Sequence, residues 1–484
     1  MRRWTTALPR SREAATPAAQ PWVEALALGV PLLVLTALSL YQLGALSLWR
    51  DEVASVVFAN APLGDLLTVV GRDRETADLA NMATYYLILH FWLAIGESET
   101  WIRLPSVVFG VAAVVPTYLI ARRLGGWITG ALAAAIFVLI PYVIHYNQEA
   151  RGYSLAMLVS GVLTWLVLVG VERRERVWPW LAYGLVASLG IYVHFFVALV
   201  VLTHGAWVLI TRRIPRWPAA LSASAPIALA VAPIPFVVLE HGGEQEWIPP
   251  LSGAVAATNL TALAGGALPL LAAAVLVGGA LVVRNADARV WLIAGCVLAP
   301  VFGAAAISLV KPMFVARYLI VVLPSLAVIV ACGVLAVPRR APQAGVATAL
   351  LVLLALAVPQ AYADRHQQDW RALGEWMASR TEPGDRMIAG NARRSVQYYL
   401  GRAGAETIPA PTRTRVVLEE GAVHRVWVTL TGTVGANDVT ERLSGAFAVA
   451  EDRLFGARLR IVLLTPADDA AAVGAGSWGG DRRG

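Results

Sequence analysis

Long apolar runs alternate with short polar segments across residues 25–362. A helix needs about 20 apolar residues to cross the hydrocarbon core of a bilayer. Several runs reach that length, among them residues 25–46, 102–121 and 219–239. The pattern predicts an all-α polytopic membrane protein with about 11 transmembrane helices. Residues 1–24 are predicted to form a polar segment ahead of the first helix.

Arginine positions give the direction of the predicted helices, because basic residues concentrate in cytoplasmic loops. Arginines in the N-terminal segment place it in the cytoplasm, and Arg122 and Arg123 mark the next cytoplasmic loop. If the runs at 83–96 and 102–121 both crossed the membrane, this pair would lie outside, so only one run crosses. We assign the crossing to residues 102–121 and interpret residues 83–96 as an interfacial helix in a large, structured external loop.

The later runs continue this alternation. Residues 178–210 are bounded by basic segments at both ends, so they are predicted to form a hairpin whose turn, near His194, lies outside. The last helix, at residues 345–362, leads the chain to the outside again. The other loops predicted on the outer face are residues 145–153, 241–247 and 311–317.

Residues 363–466 lack membrane-length apolar runs and are predicted to form a small extracytoplasmic α/β domain. Strand-like runs lie at residues 386–389, 423–430 and 459–464. Residues 467–484, rich in Gly, Ala and Asp, are predicted to be a disordered tail. A helix precedes the first strand and carries one apolar face, formed by Trp370, Leu373, Trp376 and Met377.

Composition agrees with a membrane protein and changes the interpretation of its charge. Hydrophobic residues make up 58% of the chain and charged residues 15%. The formal net charge of +7 would suggest nucleic acid as a partner of a soluble protein, but here the arginines cluster between apolar runs. We therefore interpret the charge as a determinant of topology and expect no nucleic-acid partner. Two cysteines in apolar runs do not define a disulfide framework.

Charged and polar side chains collect on the predicted outer face. Asp51 and Glu52 directly follow the first apolar run, and Glu149 and Arg151 lie in the next external loop. Carboxylates can accept a proton, while guanidinium or ammonium groups can hold a phosphate. Because these groups lie at the membrane surface, the phosphate is predicted to belong to a lipid. The other members of the set are His194, His241, Glu244, Lys311 and Arg317.

The motifs that carry this chemistry also resemble a known family. WRDEVAS follows the first helix, NQEARGYSL lies in the second external loop, YVHFF lies at the hairpin turn and FVARYLIVVLP begins the tenth helix. WIRLPSVVFG and ARRLGG lie between the first two of these motifs. The six motifs in chain order, across roughly residues 25–323, resemble the GT-C glycosyltransferases of family 39. That family includes protein O-mannosyltransferases and is similar to the aminoarabinose transferases of lipid A.

The resemblance implies a GT-C fold and an activity. Such enzymes transfer a single sugar from a polyprenyl-phosphate carrier to an acceptor hydroxyl on the outer face, with inversion at the anomeric carbon. For this chain it implies a mannose-like or arabinose-like sugar and an external glycan, lipid or protein as acceptor. It also implies a multi-pass protein of the bacterial inner membrane, with a cytoplasmic N-terminus and an extracytoplasmic C-terminal domain.

The resemblance assigns roles to particular residues. Asp51 resembles the catalytic base, with Glu52 as its partner and Glu149 as a second-loop acid. Arg317 resembles the phosphate-binding arginine, and we assign Lys311 and Arg151 to the same phosphate. Asn81, Met82 and Ala83 depart from the pattern, since relatives often carry a proline pair there. We assign the lining of the substrate cavity to Tyr85, Tyr86, Tyr153, His194, His241 and Glu244.

A metal site is not defined by the sequence. Asp51, Glu149, His194 and His241 carry side chains that can bind a divalent cation, and some relatives use one. No short-spaced ligand motif connects them. No cofactor is therefore predicted with certainty, and a divalent metal stays open.

Other interpretations of the same residues remain. Asp51 beside Arg50 fits a solvated helix end, Glu149 and Arg151 fit an ion pair that fixes a loop, and Arg317 fits an interfacial anchor. His145 and His90 are interpreted as interfacial packing residues. Two other functions are open: a flippase or transporter, which predicts charges at the bilayer midplane, and a non-catalytic envelope-assembly scaffold, which predicts no loss of function when Asp51 alone is changed.

Overall fold

A computed structural model describes residues 20–67, 81–233, 248–264, 287–337, 339–363, 368–412, 425–431, 443–444 and 446–467. The chain divides into two compact units. The membrane unit comprises Met1–Tyr41, Pro62–Ile95 and Trp101–Asp364, and the C-terminal unit comprises Gln42–Ala61, Gly96–Thr100 and Arg365–Gly484. The predicted division between residues 362 and 363 stays a prediction. The sequence analysis, however, assigned the two short first-loop segments to the membrane domain.

Helices make up the described part of the membrane unit, as predicted. Six described helices are long and apolar enough to cross a membrane, or seven if the bent pair Trp127–Leu139 and Pro141–Asn147 forms one span. The prediction of about 11 spans stays a prediction. The six helices are Pro21–Leu40, Glu99–Gly125, Tyr153–Glu172, Ala288–Ser308, Ala316–Leu335 and Arg340–Ala363, and shorter apolar helices are Trp178–Ile191, Val197–Ile210, Trp217–Val231 and Gly253–Leu263.

Three of these long segments are interrupted, and one of them, Arg340–Ala363, consists of the helices Arg340–Ala357 and Gln360–Ala363. Glu99–Gly125 divides into the helices Glu99–Ala112 and Val114–Gly125, and Ala316–Leu335 begins as the 3₁₀ helix Ala316–Val322 before the α-helix Leu323–Leu335. At the basic end of Val114–Gly125, Gly126 adopts a φ of 82°. Glycine takes this left-handed conformation without a Cβ penalty. The chain reverses there into the helix Trp127–Leu139.

The predicted hairpin at residues 178–210 is confirmed, with helices Trp178–Ile191 and Val197–Ile210 and a turn at residues 192–196. The turn holds the start of the helix Ala83–Leu93. The backbone amides of Met82 and Thr84 both donate to the Tyr192 carbonyl at 3.2 Å, and Asn81 Oδ1 accepts from the Phe195 amide at 3.2 Å. Proline has no amide hydrogen to donate, so the bonds from Met82 and Thr84 require residues other than proline at these two positions.

The C-terminal unit contains a five-stranded sheet in the order β2-β1-β3-β5-β4. The strands are β1 Arg386–Ile388, β2 Ala410–Pro411, β3 Val426–Thr431, β4 Phe447–Phe455 and β5 Leu459–Pro466. β1 pairs in parallel with β2 and β3, whereas β5 pairs antiparallel with β3 and β4. The strands predicted near 386, 423 and 459 are therefore confirmed as β1, β3 and β5.

Three α-helices accompany the sheet among the described residues of this unit, namely Arg50–Ala59, Trp370–Ala378 and Arg393–Arg402. Three of the four residues of the predicted amphipathic face, Trp370, Leu373 and Met377, are fully buried, and the fourth, Trp376, is half-buried. The described core of the sheet is formed by Val426, Val428, Leu430, Leu443, Phe447, Val462 and Leu464.

Candidate functional site

Asp51 and Glu52 lie in the first turn of the helix Arg50–Ala59 in the C-terminal unit. The Glu52 side chain is buried, and its Oε2 accepts from the Trp49 amide at 3.2 Å. This contact caps the helix N-terminus, where a carboxylate is favourable. The Asp51 side chain keeps 21% of its exposure, and its Oδ1 lies 3.6 Å from Arg50 Nε. The two predicted catalytic acids thus have different surroundings.

Glu149 lies in the membrane unit and pairs with a histidine. Its Oε1 lies 3.1 Å from Nε2 of His145, one helical turn earlier. The His145 Nδ1 lies 3.3 Å from the carbonyl oxygen of Ala361. His145 was interpreted as a packing residue, and the structure adds a polar contact with a candidate site residue. Its spacing of four residues from Glu149 in HYNQE was the available signal.

Arg151 connects the loop at residues 145–153 to the helix Ala83–Leu93. Its Nη1 donates to the Tyr86 hydroxyl at 3.1 Å, and its carbonyl accepts from Ser106 Oγ at 3.2 Å. The Tyr85 hydroxyl lies 3.1 Å from the same Ser106 Oγ. Tyr85, Tyr86 and Arg151, predicted from separate segments, are therefore brought together, and Ser106 is a member that the sequence analysis missed.

Three aromatic rings form a row between two guanidinium groups. The His194 ring centroid lies 5.8 Å from that of Tyr153 and 5.3 Å from that of Tyr318. At one end the Arg151 guanidinium lies 5.9 Å from the Tyr153 ring, and at the other the Arg317 guanidinium lies 6.0 Å from the Tyr318 ring. We call these five residues the arginine–aromatic row.

His194 is fully buried at the centre of this row, in the turn between the hairpin helices. Its Nδ1 accepts from the Phe196 amide at 3.2 Å, so the neutral ring carries its hydrogen on Nε2. Among the described residues, this Nε2 has no hydrogen-bond partner. Burial, with the positive charges of Arg151 and Arg317, lowers the pKa of His194 to about 3. His194 is thus a neutral N–H donor near two cations.

The remaining predicted residues are Lys311, His241 and Glu244. Lys311 is half-buried just after the helix Ala288–Ser308, and its backbone amide donates to the Ile307 carbonyl at 2.9 Å. Tyr142 lies within range of the charges of both Glu149 and Arg317, which places those two near one tyrosine. His241 and Glu244 lie outside the described residues.

Comparison with known proteins finds a matching family model and similar folds. A model of the family described as dolichyl-phosphate-mannose-protein mannosyltransferase matches residues 81–237. The structure is similar to the crystal structure of ArnT from Cupriavidus metallidurans bound to undecaprenyl phosphate, with a TM-score of 0.59, 12% identity, and coverage of 92% of this chain and 98% of that one. The apo structure of the same ArnT gives a TM-score of 0.55 at 13% identity, covering 91% and 97% of the two chains. This chain has the GT-C glycosyltransferase fold.

A curated relative matches a shorter stretch of this GT-C chain. The undecaprenyl phosphate-α-4-amino-4-deoxy-L-arabinose arabinosyl transferase of Pseudomonas aeruginosa (strain UCBPP-PA14) is 29% identical over 179 residues. The match spans 34% of this chain and 31% of that protein. Together with its apolar helices, these similarities identify the chain as a multi-pass membrane protein.

The described GT-C residues do not assemble a metal site. Within those ranges, no group of three His, Cys, Asp or Glu side chains is arranged to hold a metal ion. Glu149 and His145 form a pair only, while His241 lies outside the description. The divalent metal that the sequence left open stays open.

Proposed function

We propose that this protein is an inverting glycosyltransferase that moves a single sugar from a polyprenyl-phosphate carrier to an acceptor hydroxyl on the outer face of the bacterial inner membrane. The observation that carries the proposal is the arginine–aromatic row. It presents two guanidinium groups and one buried N–H donor at the ends of apolar helices. The orientation that goes with the proposal has the N-terminus in the cytoplasm and the C-terminal domain outside.

The charges of the row favour an anionic ligand. Arg151 and Arg317 both act electrostatically on His194, and guanidinium groups match the geometry and charge of phosphate. Phosphate oxygens accept charge-assisted hydrogen bonds from guanidinium groups and ordinary hydrogen bonds from a neutral imidazole. We propose that a phosphate of the carrier binds Arg317, Arg151 and His194 Nε2, with Lys311 as a further cation.

The row lies at the ends of apolar helices, and this position supports a lipid as the ligand. Tyr153 begins the apolar helix Tyr153–Glu172, and Arg317 and Tyr318 begin the apolar segment Ala316–Leu335. A phosphate held at such helix ends fits a lipid whose chain extends into the bilayer. The ArnT to which this fold is similar was solved with undecaprenyl phosphate, which supports the same ligand class for this chain.

The chemistry needs one base and no protein nucleophile. In the proposed step the acceptor oxygen attacks the anomeric carbon, the bond from that carbon to the phosphate oxygen breaks, and the phosphate takes the electron pair. Asp51 accepts the acceptor's proton, since it is the more exposed of the two first-loop acids, and Glu52 holds its helix. Cations at the phosphate offset the charge that grows on the leaving group. Glu149 with His145 is proposed to contact the sugar or the acceptor.

A thermal-shift titration with undecaprenyl phosphate tests the binding half of the proposal. We expect saturable stabilisation of the purified protein, and Arg317→Ala is expected to weaken it at least tenfold because a charge-assisted bond is lost. Arg173→Ala is the matched control, since Arg173 is exposed after the helix Tyr153–Glu172. Equal binding by wild type and Arg317→Ala would contradict the assignment of the phosphate site.

A further inference from the structure

The segment leading to Asp51 is held by hydrogen bonds that belong entirely to the C-terminal unit. The Leu48 amide donates to the Tyr399 hydroxyl at 2.6 Å, although 351 positions separate the two residues in sequence. Ser47 Oγ donates to the Gln368 carbonyl at 3.1 Å and accepts from the Trp370 amide at 3.0 Å. Ser47 and Leu48, four and three positions before Asp51, are therefore hydrogen-bonded to residues in or beside the helices Trp370–Ala378 and Arg393–Arg402.

Tyr399 is held in place by a buried carboxylate. Its hydroxyl donates to Glu99 Oε1 at 2.7 Å, and Glu99 in turn forms an ion pair with Arg371. Burial, together with the charge of Glu99, raises the pKa of Tyr399, so the hydroxyl keeps its proton. One hydroxyl thus acts as donor to Glu99 and as acceptor from Leu48, which fixes its direction.

The helix that follows is held at its other end as well. The helix Arg50–Ala59 packs against Arg393–Arg402, and the Arg394 guanidinium lies 5.1 Å from the Phe58 ring. Tyr399 and Arg394 are on the same helix. Between these contacts, the capping contact from Glu52 to the Trp49 amide fixes the first turn, where Asp51 lies.

We infer that Tyr399 is a positioning residue for Asp51, so that the C-terminal unit sets the direction of the proposed catalytic base; this inference rests on the proposed function. Catalysis by a positioned base is sensitive to geometry, and a misplacement of about 1 Å can cost 100-fold in rate. The Tyr399 hydroxyl fixes the backbone three residues before Asp51. Its loss can therefore misplace the base, although Tyr399 itself does not contact the substrate.

Tyr399→Phe removes the hydroxyl and keeps the ring. Its matched control is Tyr398→Phe on the same helix, because the Tyr398 hydroxyl accepts from Arg402 at 3.0 Å and Tyr398 packs edge to face on Tyr399. Amide hydrogen–deuterium exchange of the full-length protein is measured over residues 44–59. We expect exchange at Leu48 and the next residues to become about tenfold faster in Tyr399→Phe and to stay unchanged in Tyr398→Phe.

Turnover gives the second readout, measured as release of polyprenyl phosphate from a polyprenyl-phosphate sugar. Tyr399→Phe is expected to lower kcat by about 10-fold to 100-fold with unchanged KM for the carrier, because the row that binds phosphate is untouched. Unchanged exchange, or faster exchange with wild-type kcat, would overturn the inference. A wild-type protein without turnover would instead contradict the proposed function, while the exchange result would still decide whether Tyr399 fastens the segment.

Discussion

Asp51 and Glu52 are adjacent in sequence but have different surroundings. Glu52 is buried and accepts a hydrogen bond from the Trp49 amide, whereas Asp51 is partly exposed beside Arg50. The Glu52 carboxylate accepts a backbone hydrogen bond that caps the helix, while the partly exposed Asp51 carboxylate can contact an acceptor hydroxyl. The sequence assigned catalytic roles to both, and their contacts favour Asp51 as the base and Glu52 as its support.

The folded protein is expected to lose stability in acid because of His194, a residue of the proposed phosphate site. Its pKa is lowered to about 3 in the folded protein, whereas an unfolded histidine titrates near 6.5. Between these values the unfolded state binds a proton that the folded state does not, so stability falls as the pH falls below about 6.5. The groups that face His194 in the row are Arg151, Arg317, Tyr153 and Tyr318.

We predict that His194→Gln reduces this loss of stability in acid. From pH 7.5 to pH 5, wild type should lose about 2 kcal/mol more than the variant, because glutamine does not titrate. Thermal melts of both proteins in detergent at the two pH values measure the difference. Parallel losses in the two proteins would show that His194 does not carry the effect.

At the scale of elements, two helices of the C-terminal unit approach unusually closely. A Cβ on Gly374 would lie 2.7 Å from the Cβ and the carbonyl oxygen of Tyr399. The helix Trp370–Ala378 can therefore pack on Arg393–Arg402 at this distance only because residue 374 is glycine. The same contact supports Tyr399, whose hydroxyl holds the segment before Asp51.

We predict that Gly374→Ala destabilises the protein by about 1–3 kcal/mol, because an added methyl group forces two packed backbones apart. Gly401→Ala is the control, since nothing lies within 4 Å of a Cβ at that position. Denaturation of the full-length variants compares the two. Equal stability of Gly374→Ala and wild type would mean that the helices separate without cost.

The elements that the sequence predicted correctly are apolar runs bounded by polar or turn-forming residues. The helix Tyr153–Glu172, the hairpin and strands β1, β3 and β5 belong to this group. Strand β4 was missed because its sequence, FAVAEDRLF, has three consecutive charged residues in the middle. β4 lies at the edge of the sheet, where charged side chains are tolerated. Helix interruptions such as the one near Ala113 were missed because the length of an apolar run does not indicate where a helix bends.

At the scale of the whole molecule, sequence motifs indicated the site residues but not all of their partners. NQEARGYSL and YVHFF pointed to Arg151, Tyr153 and His194, which the structure brings into one row with Arg317. Ser106, Tyr318 and Tyr399 were missed as participants because their contacts depend on tertiary packing across long sequence separations. The same reason explains why residues 42–61 were not assigned to the C-terminal unit.

The proposed function assigns carrier binding and proton acceptance to different residues. The arginine–aromatic row lies in the membrane unit, and Asp51 and the contacts that fix its helix lie in the C-terminal unit. If the row binds the carrier and Asp51 is the base, then binding and turnover should respond to different substitutions. An envelope-assembly scaffold would show no such separation, since it needs no base.

The most direct test is turnover by Asp51→Asn. Purified wild type and variant are incubated with polyprenyl-phosphate mannose or aminoarabinose and an envelope extract as acceptor source, and the release of polyprenyl phosphate is measured beside carrier binding. We predict that Asp51→Asn binds the carrier as wild type does but loses at least about 100-fold in kcat, because no group accepts the acceptor's proton. Wild-type turnover by Asp51→Asn would contradict the account.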